Sequence, residues 1–178
     1  MGVRRLARQR ALQVLYALEH MGRDMSCEEL AHWIVAARPD RRRGWGGFAR
    51  RLAELTWQQR HALDEGIQPF LRNWTLERLP IIDRICLRMA LCELREFQEI
   101  PLRVTLNEYI DLAKRFSTEE SPLFINAVLD RLSQQFPQKD FQTGAAGDRE
   151  AQDADMDVDE DDGDDDHEMI PEASKKPQ

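Results

Sequence analysis

Apolar residues recur every three or four positions along the first 137 residues of the chain, which is the spacing of helices with one buried face. Residues 3–21 place Ala7, Ala11, Val14, Leu15 and Leu18 on one stripe. Ser26 reads as an N-cap, with Glu28 and Glu29 favouring the positive end of a helix that runs to about Ala37 and stops before Pro39. A third helix starts near Trp45, with Phe48, Leu52 and Leu55 on one side. It continues or breaks near Gly66, and helical pattern reaches about Asn73.

The segment Ile81 to Phe97 is apolar on several sides, through Ile82, Ile85, Cys86, Met89, Ala90 and Leu94. That pattern predicts the central helix, entered through Thr75 or Leu79 with Pro80 in its first turn. Residues 103–116 turn Leu106, Tyr109, Ile110, Ala113 and Phe116 to one face, and Glu108, Asp111 and Arg115 to the other. Ser121-Pro122 opens a last helix carrying Phe124, Ile125, Val128, Leu129 and Leu132, closed near Pro137. No alternating strand segment and no Asn-Gly or Asp-Gly hairpin signal occurs. The expectation is an all-α domain of six or seven helices over residues 1–141.

Charge divides the chain at the same place. Residues 142–178 hold 14 acidic against 3 basic residues, a net of −11, whereas residues 1–141 carry +3. Between Asp153 and Glu168, 11 of 16 residues are acidic, which predicts a disordered tail. Asp155, Asp157 and Asp159 do not make a calcium loop: the sixth and twelfth positions are Glu160 and Asp166, where Gly and Glu are needed.

Chemistry is sparse. His20, His32, His61 and His167 are scattered, and Cys86 and Cys92 point to different faces of one helix, so packing cysteines are expected and no metal. Three cysteines in all fit a reducing cytoplasm. Gly44, Gly46 and Gly47 lack the Gly-Lys-Ser/Thr of a phosphate loop, and no Gly-x-Ser-x-Gly elbow occurs. No enzyme, cofactor or membrane span is expected.

The basic residues carry more information. Residues 1–51 hold 11 arginines against 5 acids. Arg4, Arg5, Arg8 and Arg10 form one cluster; Arg38, Arg41, Arg42, Arg43, Arg50 and Arg51 form another, interleaved with Trp45 and Phe48. On the first helix, steps of four and three align Arg5, Gln9, Gln13 and Tyr16. That row offers a charge for phosphate, two amides for base edges and a ring for stacking, the set that reads single-stranded nucleic acid. A solvated helix face whose tyrosine caps the core edge is the alternative.

Four blocks carry a resemblance. They are Arg4-Arg5-Leu6-Ala7-Arg8-Gln9-Arg10-Ala11-Leu12-Gln13-Val14-Leu15-Tyr16; Asn73 to Leu79 with Asp83-Arg84, Leu87-Arg88 and Glu93-Leu94; Pro101, Val104, Asn107-Glu108, Leu112-Ala113-Lys114 and Phe116; and Ser121-Pro122 with Phe124 to Asp130. In this order they resemble the NusB family of bacterial transcription antitermination factors. The resemblance implies two small helical bundles sharing a core. It implies a partner, the ribosomal protein NusE, with which box A RNA of ribosomal transcripts is bound. It also implies delivery to the RNA polymerase elongation complex with NusA and NusG, and it leaves a homodimer open. Carried over by position, Arg4, Arg5 and Arg8 would grip phosphates, and Tyr16 would contact a base or order that surface; Gln9 and Gln13 join them as RNA-binding candidates from the row on the first helix. Asp83, Glu120 and Phe124 would face NusE or lie near the RNA.

The chain departs from the family at Leu6 and Leu123, where a basic residue is common, and at Ala127, where Gly is frequent. The extra arginines of residues 38–51 read either as a longer RNA footprint or as a solvated loop. The tail reads either as an internal mimic of RNA or as a solubility segment. A rival reading is a stand-alone docking module in ribosomal RNA processing or ribosome assembly, akin to the helical domain attached to ribosomal RNA methyltransferases.

Overall fold

The computed structural model describes residues 2–21, 26, 29–30, 45–72 and 74–137. The body of the helix expected after Ser26, the arginine-rich stretch before Trp45 and the acidic tail lie outside the described residues. Six α-helices are described: α1 (Val3–Met21), α2 (Gly47–Gln58), α3 (Arg60–Ile67), α4 (Ile81–Glu96), α5 (Leu102–Phe116) and α6 (Ser121–Ser133). Single 3-10 turns follow α3 at Gln68–Phe70 and precede α4 at Leu76–Arg78.

The central helix is α4, as its apolar girth requires. Every residue from Ile85 to Leu94 is buried, and α4 touches α1, α2 and α3 on one side and α5 and α6 on the other. The two groups share one continuous core, in which Leu15, Leu52, Leu63, Met89, Ile125 and Leu129 are all fully or almost fully enclosed. Ala7, Ala11, Val14, Leu15 and Leu18 of α1 are buried as their spacing demands. The expected third helix is interrupted at Gln59, and its second half, α3, ends at Ile67, one residue past Gly66, where the 3-10 turn begins. A β-carbon on Gly66 would lie 2.8 Å from Arg95 Nη2 and 3.0 Å from Leu91 Cδ2, so the glycine lets α3 press against α4.

Caps hold the ends. Ser26 and Glu29 form a reciprocal capping box: the Glu29 N–H donates to Ser26 Oγ (3.1 Å), and the Ser26 N–H donates to Glu29 Oε2 (2.8 Å). Proline sets the entry to α4 at Pro80 and to α5 at Pro101. Cys86 and Cys92 are buried free thiols, as expected of packing cysteines. Among the described residues no helix is long and apolar enough to cross a membrane.

Candidate nucleic-acid interface

The arginines of α1 have different fates. Arg8 is enclosed, with only 2% of its surface exposed. Its guanidinium donates two hydrogen bonds of 2.8 Å to Glu93, one to each carboxylate oxygen. Thr105 and Tyr109 complete the shell, their hydroxyls donating to Glu93 at 2.8 and 2.9 Å. Burial works against the Arg8 charge, but the hydrogen bonds and the charge of Glu93 outweigh it and the pKa rises. The expectation that Arg8 grips phosphate is therefore corrected: this side chain bolts α1 to α4 and α5 and offers nothing to a ligand.

Arg4 and Arg5 do reach solvent. Arg5 lies against α5, where Nη2 meets Glu108 and Asp111 at 2.8 Å each. Arg4 turns the opposite way, its guanidinium 5.8 Å from the centre of the Phe48 ring.

Below Arg5, the row foreseen on α1 borders a groove between α1 and α5. A first hollow of 170 Å³ is lined by Arg5, Gln9, Glu108, Asp111, Leu112 and Arg115. A second, of 310 Å³, is lined by Leu12, Gln13, Tyr16, Ile82 and Phe116. Gln9 and Gln13, one helical turn apart, carry the row from one hollow into the other. Arg115 leans over the Phe116 ring at 5.2 Å and donates to Gln9 Oε1 at 3.5 Å, closing the far wall. Tyr16 is 39% exposed at the end of the row and packs on His20, with ring centres 4.3 Å apart. His20 Nδ1–H donates to the Tyr16 carbonyl oxygen at 2.8 Å.

Reading α1 alone missed the opposite wall. Glu108, Asp111 and Arg115 share one stripe of α5 at three- and four-residue spacing. Glu108 and Asp111 complement the charge of Arg5 and Arg115 donates to Gln9, and that complementarity was the available signal.

Asp83 also departs from expectation. It is only 2% exposed, and it accepts a 2.8 Å hydrogen bond from Ser121 Oγ. Ser121 in turn takes the Thr118 backbone N–H and packs its hydroxyl against those of Ser117 and Thr118. Asp83 thus faces neither partner nor RNA; it ties the first turn of α4 to the first turn of α6. Around that tie Glu120 is exposed, Phe124 is half-buried against the core and Leu123 is 80% exposed. No group of three or more His, Cys, Asp or Glu side chains among the described residues is placed to hold a metal.

The sequence profile of the NusB family matches residues 5–134, most of the chain. The chain belongs to the NusB family. It is 40% identical over 139 residues to the transcription antitermination protein NusB of Desulfitobacterium hafniense (strain DSM 10664 / DCB-2), covering 77% of this chain and 92% of that one. It is 40% identical over 135 residues to the NusB of Myxococcus xanthus (strain DK1622), covering 75% and 96%. The solved structure of Thermotoga maritima NusB superposes with a TM-score of 0.67 at 31% identity, over 80% of this chain and 98% of that one. A NusB solved with NusE and double-stranded RNA shares the fold, with a TM-score of 0.63 at 23% identity over 76% and 99% of the two chains. The all-helical NusB-like fold is as expected, and the expectation of a non-enzyme agrees with these names.

Proposed function

We propose that this NusB-family protein is a cytoplasmic antitermination factor that binds single-stranded box A RNA of ribosomal transcripts together with NusE. The bound complex, joined by NusA and NusG, then helps RNA polymerase resist termination. The observation that carries the reading is the groove between α1 and α5. Exposed Arg5 stands at one end, Gln9 and Gln13 line its length, and Tyr16 stands at the other.

Each part suits an unpaired strand. Arg4 and Arg5 attract phosphates and release counterions, which makes affinity salt-dependent. The two amides can pair with base edges, and the Tyr16 ring offers a face on which a base stacks. The hollow beside Leu12, Ile82 and Phe116 is apolar enough to shelter a splayed base. Glu108 and Asp111 temper the charge of Arg5, so the groove alone binds weakly. A second protein that extends the track supplies the remaining affinity. Glu120, Leu123 and Phe124, held by the Asp83–Ser121 tie, form the surface proposed to meet NusE. A NusB that shares the fold was solved with NusE and double-stranded RNA, and NusE and an RNA are carried from it to this chain as proposed partners.

The test is a titration of box A-like and scrambled RNA with and without NusE, at two salt concentrations. Tight binding of box A alone, dependent on NusE and weakened by salt, is expected. Equal affinity for both RNAs with NusE present rejects the reading.

A further inference from the structure

Two arginines beside the Phe48 and Phe97 rings, Arg4 and Arg51, have no carboxylate partner among the described residues, although Arg8, 5.4 Å from the Phe48 ring, is paired with Glu93. Arg5 is matched by Glu108 and Asp111, Arg8 by Glu93, and Arg84 and Arg88 by Glu19 and Asp64. Arg4 and Arg51 are held instead by rings. Arg4 lies over Phe48 at 5.8 Å, Phe48 meets Phe97 edge to face at 5.1 Å, and Arg51 lies over Phe97 at 5.1 Å. Both arginines are exposed, and among the described residues no carboxylate pairs with either. The first turn of α2, which carries Phe48, has no acidic residue and its Gly46 cap has no side chain to offer. The positive end of that helix therefore adds to the positive charge there.

We propose that the RNA track continues beyond the groove, over the first turn of α1 and on to α2, where Arg4 and Arg51 take the sugar–phosphate backbone. This extension rests on the RNA-binding reading given above. A guanidinium stacked on a ring face is fixed in orientation while its in-plane N–H donors stay open to a phosphate, and arginine suits that bidentate contact. Arg4 and Arg5 diverge from adjacent positions, one toward α2 and one toward α5, so the first turn of α1 joins the two surfaces. Contacts to the sugar–phosphate backbone carry no base identity, so the extension adds affinity and footprint without sequence preference.

The experiment compares the full-length protein and its Arg51→Gln variant, each with NusE, on a short box A RNA and on the same RNA lengthened by about six nucleotides at either end, a number set by the few-nucleotide site sizes of single-strand binders. Wild type should gain several-fold in affinity from the added nucleotides, and Arg51→Gln should lose that gain. The slope of log affinity against log salt on the long RNA should become shallower by about 0.7 in the variant, one released counterion on a single strand. Arg51→Lys should restore most of the slope, which a purely structural role for the guanidinium would not. An equal gain on lengthening in wild type and Arg51→Gln overturns the extension alone. Tighter RNA binding by Arg51→Gln also overturns it. Failure of wild type to prefer even the short box A RNA defeats the underlying reading instead. Thermal melts of each variant establish that the fold is intact.

Discussion

Arg8 and Glu93, 85 residues apart in sequence, meet in the interior as two parallel hydrogen bonds of 2.8 Å. Two hydroxyl donors, from Thr105 and Tyr109, saturate the same carboxylate. Helices α1, α4 and α5 are thereby fixed relative to one another, and the groove proposed for RNA lies between two of them. A charge that looked like a ligand contact is in fact part of the frame of the site.

Removing either partner should strand the other in a dry environment. Arg8→Met or Glu93→Leu alone is expected to cost about 3–5 kcal/mol in urea unfolding. The double variant should cost less than the two singles combined, because no unpaired charge is left, although the Thr105 and Tyr109 hydroxyls lose their acceptor. Strict additivity of the two substitutions would count against a coupled pair.

Much of this was legible in the sequence, for reasons that also explain the exceptions. Ala7, Ala11, Val14, Leu15 and Leu18 repeat at helical spacing, and burial follows from that spacing alone. The row Arg5-Gln9-Gln13-Tyr16 follows from the same geometry, and Arg5 and Tyr16 both reach solvent. Arg8 sits among the buried residues of α1, but its charge reads as surface until a carboxylate is known to face it. Nothing local to α1 reveals Glu93. Asp83 misleads in the same way: an acid in the first turn of a helix is ordinarily exposed, and its true partner, Ser121, lies on another helix. The pattern of one helix shows which side is apolar, but only the packing of several shows which polar side chains that side encloses.

Tyr16 packs on His20 with its own ring partly exposed. If a base stacks there, Tyr16→Ala should weaken box A binding by about 5- to 100-fold, the usual range for losing one stacked base. Tyr16→Phe should bind nearly as wild type. Melting temperatures of all three should agree within a few degrees, because the ring is not enclosed by the core. Undiminished binding by Tyr16→Ala would remove the base-stacking role.

Asp111 stands 2.8 Å from Arg5 and is itself largely exposed. In the free protein it competes with phosphate for that guanidinium and repels the strand. Asp111→Asn is therefore expected to tighten RNA binding by about 2- to 5-fold at low salt, with the difference fading as screening increases. Weaker binding by the variant would instead show that the carboxylate orients Arg5 productively.

Three enclosed acids make alkaline stability a direct test of the core. Burial pushes the Cys86 thiol far up, with the charge of Asp83 adding to it. Burial also pushes Cys92 up to about 11. Tyr109 is raised well above its ordinary value, first by burial and then by the charge of Glu93. In the unfolded chain the thiols titrate near about 8.5 and the phenol near about 10. Above those values the unfolded state binds fewer protons than the folded one, so stability falls as pH rises. It is complete below the unfolded pKa values and is lost toward the folded ones. Urea unfolding under reducing conditions should thus show a steady decline between about pH 8.5 and 11, of up to about 1.4 kcal/mol per pH unit for each group engaged. A Cys86→Ala/Cys92→Ala variant will start from lower stability because it leaves cavities. Its decline should nevertheless begin later, near the tyrosine range. A wild-type profile that stays flat to pH 10 would mean that the α4 thiols are open to water, which the packing of that helix forbids.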